Sequence, residues 1–388
     1  MKKLVYLDNA STTPVSKHAL NKMLPFFNLN FANPSSLHSL GVVAKSAVEN
    51  SRIMIASALN TQPDTIIFTS GGTEANNLAI FGTCEANNSK KHVITAATEH
   101  SSVLEPLNKL KNLGWKITVL PVNKDGFINP EEVINTITPD TVLVSIMLAN
   151  NEIGTIQNIS EIGNRITKFK KNTNSNYPYF HSDACQAPGY IKLNVEKLHV
   201  DLLTINSSKI YGPKGIGALY KKRGLEINPQ IVGGDQENNF RSGTENVAAI
   251  VGFSEALEIA QKNTHAETKK ALRLSEYFYK KISKVYPEAD LNGPKLGSVR
   301  LPNNLNIYFP GIDGEQLVLY LDSFGIACST ASACTTNKGE RSHVLRSLGF
   351  DEQRTISSVR FSLGVNTTKS DLDYTIKCLQ KVLKLLSV

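Results

Sequence analysis

Hydrophobic and polar positions follow a strand-and-helix pattern along more than half of the chain. Between residues 64 and about 221, short apolar runs rich in β-branched residues are separated by stretches with helical spacing. Near-continuous apolar strands of this kind are typical of a mostly parallel sheet whose two faces are both covered by helices. The predicted fold class is therefore α/β, with strands expected in DTIIFTS, HVITAAT, WKITVLPV, TVLVSIMLA, YPYFHSDA, VDLLTIN and GIGALYK.

The pattern changes after residue 248. AAIVGFSEALEIAQKN and ETKKALRLSEYFYKKISKVY have helical spacing and predict a long helical stretch that could connect two lobes. Two later runs, SVRLPNNLNIYFP and SSVRFSLG, predict strands of a second sheet. The end of the chain is predicted to be a packed amphipathic helix, with apolar residues at helical spacing: Ile376, Leu379, Leu383 and Leu386.

The composition narrows the class of protein. Of the 388 residues, 41% are hydrophobic and 20% charged, as in ordinary globular proteins. A chain of this length usually forms two lobes, or one large domain with a smaller one. The 42 Lys and Arg exceed the 34 Asp and Glu by eight, which is a mildly basic balance. The basic residues are scattered, as in KFKK and KKRG, so solvated faces are expected rather than a nucleic-acid site.

Targeting signals and cysteine usage favour a cytoplasmic protein. No apolar run approaches the roughly 18 residues of a membrane helix, and the start, MKKLVYLDNASTTP, lacks the core of a signal peptide. The five cysteines have no CxxC spacing, so neither a disulfide framework nor a zinc cluster is expected: Cys84, Cys185, Cys328, Cys334 and Cys378. Any cysteine with a special role should therefore be a free thiol.

Polar residues follow several of the predicted strands. Ligands of an open parallel sheet bind at the carboxyl ends of its strands, so these residues are the first candidates for a site. GGTEANN (71–77) could offer backbone N–H groups to a phosphate, although a Gly-Gly-Thr turn alone is more often just a loop. His100 and Asp183 follow two further strands, where a structural histidine and a helix cap are the commoner roles.

A lysine completes this pattern. The strand VDLLTIN runs into Ser207, Ser208 and Lys209, and then into the Gly- and Pro-rich turn IYGPKGIG. An amine that leaves a buried strand in this way is partly desolvated, which favours its neutral, nucleophilic form. A phosphate turn, a carboxylate, an imidazole and a lysine are together the parts that a pyridoxal phosphate enzyme needs. Each part is weak evidence, but their order on successive strands favours this cofactor.

Beyond these residues, the sequence resembles the cysteine desulfurase family, in the class V aminotransferase branch of the fold-type I pyridoxal phosphate enzymes. The resemblance extends over nearly the whole chain. It implies a large cofactor-binding domain at 16–261, with the seven-stranded sheet, and a smaller α+β domain made of 1–15 and 262–388. The similar segments, in the family order, are YLDNASTTP (6–14), NPSSLHSLG (33–41), TSGGTEANN (69–77), ATEH (97–100), NNEIGTIQNI (150–159), DACQ (183–186), SKIYGPKGIGALY (208–220), RSGT (241–244), ASACTT (331–336), HVLRSLG (343–349) and SSVRFSLG (357–364).

The resemblance also implies roles for individual residues. Lys209 would bind the cofactor as a Schiff base and later move the substrate Cα proton, and His100 would stack on the ring and assist proton transfer. Arg360 would clamp the substrate carboxylate. Thr244 would reach the phosphate in the neighbouring subunit, which implies a homodimer with shared sites. The other implied contacts are with the cofactor phosphate for Gly72, Thr73, Asn206, Ser207 and Ser208, with the pyridine nitrogen for Asp183, with the phenolic oxygen for Gln186, and with both phenolic oxygen and substrate for Asn151.

The segment ASACTT carries the residue that distinguishes a desulfurase. Cys334 matches the family thiol that attacks the substrate sulfur and keeps it as a persulfide, and its small neighbours predict a flexible loop. Lys338 or Arg341 could favour the thiolate, although solvated loop charges explain them equally well. No metal site is expected beyond a transient iron–sulfur contact at Cys334. The other four cysteines are predicted to be buried small hydrophobic residues.

The sequence departs from the family pattern beside the lysine. The family usually has His immediately before the Schiff-base lysine and Ser two residues before that His, and here these positions are Ser208 and Asn206. Both can donate hydrogen bonds to a phosphate, but the possible positive charge of His is lost, which predicts looser cofactor binding. A second departure is Asp235, which stands where the family often has a third Gly and has no assigned role.

The expected reaction converts L-cysteine to L-alanine and leaves the sulfur on Cys334. The loop length resembles the branch that serves iron–sulfur assembly and tRNA thiolation, so the acceptor stays open between an iron–sulfur scaffold, a thiolation relay and a thiamine pathway. No direct contact with nucleic acid or membrane is expected. A selenocysteine lyase or class V transaminase is the alternative within enzymes, since it would keep Lys209 and Asp183 without depending on Cys334. A degenerate scaffold for sulfur-transfer partners is the alternative from another class.

Overall fold

The computed structural model of the protein describes residues 4–87, 89–330 and 341–386. Its strands are β1 (Val5–Tyr6), β2 (Ile66–Thr69), β3 (His92–Ala96), β4 (Lys116–Leu120), β5 (Thr141–Ser145), β6 (Tyr179–Asp183), β7 (Leu202–Asn206), β8 (Gly217–Lys221), β9 (Asp290–Leu291), β10 (Asn304–Tyr308), β11 (Ile326–Ala327), β12 (Ser329–Thr330) and β13 (Ser358–Ser362). Its helices are α1 (Lys17–Met23), α2 (Pro25–Asn28), α3 (Ser39–Leu59), α4 (Gly72–Asn77), α5 (Thr83–Ala86), α6 (Ser101–Asn112), α7 (Pro130–Thr136), α8 (Ile159–Asn172), α9 (Val195–Leu198), α10 (Val247–Val285), α11 (Gly314–Ser323), α12 (His343–Ser347), α13 (Glu352–Ile356) and α14 (Lys369–Leu386). A π-helical stretch, Leu78–Gly82, joins α4 to α5.

Seven strands form one sheet in the order β2-β8-β7-β6-β5-β3-β4. The pairs from β7 to β4 are parallel, whereas β8 runs antiparallel to both β7 and β2. These are the seven strands that the apolar runs predict, so the predicted α/β class with a mostly parallel seven-stranded sheet is confirmed. Strands β3, β5 and β6 contain only buried residues, as expected for strands covered on both faces.

Alternating side chains of the sheet pack into two apolar clusters. On β6, Phe180 lies in the cluster that also contains Ile55 of α3 and Phe253 of α10. The preceding residue, Tyr179, lies in a separate cluster with Val103 of α6. This alternation follows from the period of two along a strand and places helices on opposite faces of the sheet.

A third apolar cluster joins the beginning of the chain to its last third. It contains Leu7 near β1, Phe278 of α10 and Phe361 of β13. The predicted helical stretch after residue 248 is therefore one continuous helix, α10, which packs against the sheet through Phe253 and into this third cluster through Phe278. No helix within the described ranges is long and apolar enough to cross a membrane.

The second sheet has the order β12-β13-β10-β9, with antiparallel pairs. The predicted strands in SVRLPNNLNIYFP and SSVRFSLG are found as β10 and β13, although β10 begins only at Asn304. The amphipathic helix predicted at the end of the chain is α14. Its Ile376, Leu379 and Leu383 are buried in the third cluster and Leu386 packs against that cluster.

A buried ion pair holds the segment around Glu237 against β2. Arg52 of α3 donates from Nη1 and Nη2 to the two carboxylate oxygens of Glu237, at 2.8 and 2.7 Å. The same carboxylate accepts a hydrogen bond from the backbone N–H of Phe68, and the two paired side chains are only 8% and 2% exposed. Because this segment leads into RSGT (241–244), the ion pair fixes the path of the chain toward that motif.

We predict that Glu237→Gln lowers the free energy of unfolding by about 3–5 kcal/mol, because the buried Arg52 charge then keeps only the half-exposed carboxylate of Glu49 as its partner. Chemical denaturation followed by circular dichroism measures this change. The matched control is Asp64→Asn, which breaks the exposed Asp64–Arg223 pair and should change stability little. Equal effects of the two variants would contradict the prediction.

Candidate active site

The residues predicted from the sequence follow strands whose carboxyl ends lie on the same side of the large sheet. Asp183 is the last residue of β6, and Lys209 lies three residues beyond β7. His100 immediately precedes α6 in the connection after β3, and Gly72 begins α4 after β2. The carboxyl ends of parallel strands lie together, and open α/β sheets bind their ligands beside these ends.

The carboxylate of Asp183 is buried and is held by two neutral donors. Its Oδ1 accepts a hydrogen bond from the backbone N–H of Cys185 at 2.9 Å, and its Oδ2 accepts one from Asn76 Nδ2 at 2.7 Å. Asn76 is fully buried in α4, and the same Nδ2 also donates to Ser102 Oγ at 2.8 Å. No role was predicted for Asn76 from the sequence. Its position one helical turn after Gly72 is the signal that could have indicated it.

Glycines shape the turn before α4. Gly71 has φ +155°, and no side chain caps the helix at this residue. A Cβ on Gly72 would lie 2.6 Å from Cys185 Sγ and 3.5 Å from Asn206 Nδ2, so only glycine fits between the turn and the two strand ends. The N–H groups at the start of the helix are therefore left for an anion, with Asn206 beside them.

Thr73 and the residues around the lysine complete this region. Thr73 lines a cavity of about 390 Å³ between α4 and α6. The oxygens Asn206 Oδ1 and Ser207 Oγ are buried and have no hydrogen-bond partner among the described residues. The backbone carbonyl of Ser208 accepts hydrogen bonds from Thr13, at 2.8 Å from the N–H and 3.0 Å from Oγ1.

Ser11 connects the lysine to the predicted substrate clamp. Lys209 Nζ donates to the carbonyl of Ser11, while Arg360 Nη2 donates to Ser11 Oγ at 2.7 Å. Arg360 is 3% exposed, and it also donates to Asp8 Oδ1 at 2.8 Å and to the carbonyl of Asn151 at 3.0 Å. Arg360, Asn151 and Lys209 are thus brought together. The segment YLDNASTTP carries the resemblance, but its Asp8 and Ser11 had no assigned roles.

His100 lies at the beginning of α6 with its ring largely buried. The backbone N–H of Ser102 donates to His100 Nδ1 at 3.1 Å, and Ser102 Oγ lies 2.8 Å from the same nitrogen. Burial lowers the pKa of His100, the Asp183 charge raises it, and Lys209 and His343 lower it further. These effects show that Asp183 and Lys209 both lie within electrostatic range of the ring.

Two predicted contact residues lie at the periphery of this arrangement. Gln186 follows Asp183 and donates from Nε2 to the carbonyl of Ala10 at 3.0 Å. Thr244 is exposed in the turn before α10, and none of the site hydrogen bonds above involves it. Gln186 therefore contacts the N-terminal segment, whereas Thr244 lies on the surface of this chain.

The cysteines of the described residues are free thiols. Cys84, Cys328 and Cys378 are buried, as predicted. Cys185 differs from the prediction because it is only partly buried as a residue, and its thiol lies against the turn at Gly72. Burial raises the pKa of Cys84, Cys185 and Cys328, which keeps these thiols protonated at neutral pH.

The predicted nucleophile Cys334 and its neighbour Lys338 lie outside the described residues. Arg341, the first described residue after them, forms an ion pair with Glu352 near the surface. The adjacent Ser342 is anchored in the interior, where its Oγ donates to Glu152 Oε2 at 2.5 Å. No group of three or more metal-ligating side chains occurs in the part of the chain that the structure describes.

The chemistry of these donors fits pyridoxal phosphate. The uncapped turn at Gly71 and Gly72 offers N–H groups to a phosphate, and the buried carboxylate of Asp183 suits a protonated ring nitrogen. Lys209 supplies an amine within electrostatic range of His100, and the neutral donors of Asp183 leave its charge to be compensated by a cation.

Fold and site define a class of protein, and comparisons with known proteins agree. The family model "Aminotransferase class-V" matches residues 5–375. The cysteine desulfurase IscS of Dictyoglomus turgidum is 46% identical over 99% of this chain and 95% of its own length. That of Methanosarcina thermophila is 43% identical over 98% and 92%. A solved structure titled "NIFS-LIKE PROTEIN" superposes with a TM-score of 0.91 at 35% identity, covering 99% of this chain and 100% of that one.

The chain therefore belongs to the class V aminotransferases and, within them, to the cysteine desulfurases. It is an enzyme of a family that works with pyridoxal phosphate. A further structure, "SspA in complex with cysteine", is 33% identical with a TM-score of 0.79, covering 94% of this chain and 99% of that one.

Proposed function

We propose that this cysteine desulfurase binds pyridoxal phosphate through Lys209, holds L-cysteine through Arg360 and transfers the sulfur to Cys334. The main support for the proposal is that Lys209 and Arg360 both bind Ser11, beside the carboxyl ends of the strands, where Asp183 also lies. An amine, a carboxylate-binding guanidinium and a buried carboxylate at one edge are what an amino acid substrate and this cofactor require.

The cofactor would be held at three places. The turn at Gly72 and Thr73, with Asn206, Ser207 and Ser208 beside it, would receive the phosphate. Asp183 would pair with the ring nitrogen, His100 would stack on the ring, and Asn151 and Gln186 would contact the phenolic oxygen. When bound, the cofactor supplies an electron sink for the negative charge that forms at the substrate Cα.

The substrate carboxylate would bind at Arg360, whose guanidinium is already oriented by the Asn151 carbonyl and by Ser11. Its Nε is buried and has no partner among the described residues, so this donor is left for an incoming carboxylate. Asp8 occupies Nη2 and compensates the buried charge before substrate arrives. Lys209 would carry the proton that leaves the substrate Cα.

The sulfur transfer needs no external oxidant. The thiolate of Cys334 attacks the substrate sulfur, so that an S–S bond forms and the Cβ–S bond breaks. The electron pair left on the carbon skeleton takes up a proton, and the products are L-alanine and a persulfide on Cys334. The sulfur is thereby oxidised by the same step that reduces Cβ to a methyl group.

The enzyme is proposed to act as a homodimer with shared sites. The segment from α1 to the start of α3 exposes a row of large apolar side chains, of which Leu37 is 98% exposed: Leu20, Leu24, Phe27, Leu29, Phe31 and Leu37. Exposed apolar patches of this kind mark interaction surfaces. Met23 of α1 packs against Gly252 of α10, and this helix begins three residues after Thr244, the residue proposed to reach the partner's phosphate.

The cellular role is proposed from the same resemblance. Sulfur would pass from Cys334 to protein acceptors for iron–sulfur cluster assembly or tRNA thiolation, in the cytoplasm, with a transient iron–sulfur contact at Cys334 possible during transfer. The division into 16–261, and 1–15 with 262–388, is proposed as the domain organisation. It is supported by the third apolar cluster, which unites Leu7 with residues beyond 262.

Cys334→Ser should reduce L-alanine formation from L-cysteine by at least about 100-fold, because the sulfur then has no thiolate to receive it. Alanine is measured after incubation with pyridoxal phosphate and a reductant. Cys378→Ala, which removes a buried thiol in α14, is the matched control and should stay active. Equal activity of wild type and Cys334→Ser would favour a lyase. A colourless, inactive wild type would favour the scaffold alternative.

Ser208→His should bind pyridoxal phosphate more tightly than the wild type, because it restores a donor that can be positively charged beside the phosphate. Titration of the apo-protein, followed by absorbance, gives the two dissociation constants. Ser101→Ala, in the nearby cavity wall, controls for a general effect of substitution. Equal affinity of wild type and Ser208→His would refute looser binding as a consequence of Ser208.

Phe27→Glu combined with Leu37→Glu should convert the dimer to a monomer and weaken cofactor binding, because charges would be buried in the proposed interface. Sedimentation velocity measures the mass. Leu113→Glu changes an exposed leucine at the end of α6 and should leave the dimer intact. A wild type that sediments as a monomer would overturn the proposed assembly.

A further inference from the structure

We infer that His100 acts as a neutral imidazole with its proton on Nε2, and that Ser102 and Asn76 are positioning residues that hold it in this tautomer. The inference rests on the proposed function for the placement of the cofactor beside His100. It specifies the tautomer of His100, which the resemblance leaves open, and the two residues that hold it.

The first observation is the start of α6. His100 is the N-cap of this helix, and its Nδ1 accepts the backbone N–H of Ser102 at 3.1 Å. A backbone N–H can only donate, so Nδ1 must present its lone pair. A proton on Nδ1 would point at another N–H and would remove the helix cap. Because one nitrogen of a neutral imidazole is protonated, the proton of His100 lies on Nε2.

The second observation is the direction of a hydrogen-bond chain that begins at Asp183. Asn76 Nδ2 lies 2.7 Å from Asp183 Oδ2 and 2.8 Å from Ser102 Oγ, so its two protons serve both oxygens. Exchanging the amide oxygen and nitrogen of Asn76 would place an oxygen against the carboxylate. Ser102 Oγ thus accepts from Asn76 and directs its own proton to His100 Nδ1, 2.8 Å away.

Burial and two of the three titratable neighbours favour the neutral form of the His100 ring. Lys209 and His343 disfavour a positive charge on His100, and burial does so most strongly, whereas Asp183 favours it. The carboxylate of Asp183 is already bound by Asn76 and by the N–H of Cys185. His343 lies close because its Nε2 is 2.8 Å from the backbone carbonyl of Glu99.

A neutral imidazole in this orientation has a defined use. Protonation of Nδ1 would break the hydrogen bond from the Ser102 N–H and reverse the one with Ser102 Oγ, so the neutral ring is favoured before substrate binds. Its Nε2–H can donate to a group bound beside Lys209 and Asp183. Ser102 and Asn76 act through His100 and need not contact the substrate.

The test reads the tautomer directly. Histidine labelled with ¹³C at Cδ2 has a chemical shift that separates the two neutral tautomers and the imidazolium. The full-length protein is measured with and without pyridoxal phosphate across pH 5.5–8.5, and the signal of His100 among the eight histidines is identified by its loss in His100→Gln. The wild type should show the Nε2–H form at pH 7.5 in both states.

Ser102→Ala should raise the pH at which His100 titrates by about one unit, because the neutral ring loses a hydrogen bond. Ser102→Thr keeps the hydroxyl and should restore the wild-type titration. Ser101→Ala, one residue away, should change nothing. The Nδ1–H form or the imidazolium in the wild type at pH 7.5 would overturn the inference, and so would identical titrations of Ser102→Ala and Ser101→Ala.

The outcome is separable from that of the proposed function. The wild-type spectrum requires no turnover. An Nε2–H form in a protein that makes no alanine would leave the inference standing and refute the activity. Alanine formation by a protein with an Nδ1–H or charged His100 would refute the inference alone.

Discussion

The buried negative charge of Asp183 is the constraint on which the site depends. A carboxylate buried at the end of a central strand is costly unless it is hydrogen-bonded, and here neutral donors from Asn76 and Cys185 hold both oxygens. Its field reaches several neighbours: it raises the pKa of His100, opposing the larger effect of burial, and adds to the burial that raises the pKa of Glu99 and Cys185. A cationic ring nitrogen is the partner that this environment suits.

A second constraint is the set of hydrogen bonds that Arg360, near the end of the chain, makes beside the carboxyl ends of the large sheet. Arg360 lies on β13 of the second sheet, yet its guanidinium contacts Asp8 and Ser11 from the N-terminal segment and the Asn151 carbonyl from the connection after β5. The N-terminal segment thus lies between Lys209 and the carboxylate clamp. Amine and guanidinium are fixed relative to one another because both bind Ser11, one through its carbonyl and one through its hydroxyl.

Much of the fold could be predicted from the sequence because its signals are local. Strands buried on both faces are continuous apolar runs, and α10 keeps helical spacing from Val247 to Val285. The run SVRLPNN was expected to be a strand, but before Asn304 it has only an isolated β-bridge, between Arg300 and Thr155. Arg300 in this run is buried, with Nη1 bound to the carbonyls of Asn292 and Pro294, and a hydrophobic pattern contains no sign of such contacts.

Site residues could be predicted where the residue type and its position indicate a chemical role, as for Lys209 after a buried strand. The supporting residues could not be. Asn76, Ser102 and Ser11 are common polar residues whose roles depend on distant contacts. In the sequence, 26 positions separate Asn76 from Ser102, and 198 separate Ser11 from Lys209. Tertiary structure, and not composition, decides that these side chains meet.

The most direct test of the proposed site is to locate the amine that binds the cofactor. The yellow protein, loaded with pyridoxal phosphate, is reduced with borohydride, digested and mapped by mass spectrometry. The reduced cofactor should be attached to the peptide containing Lys209, and Lys209→Ala should abolish both the label and the yellow colour. A label on another lysine, or undiminished labelling of Lys209→Ala, would contradict it.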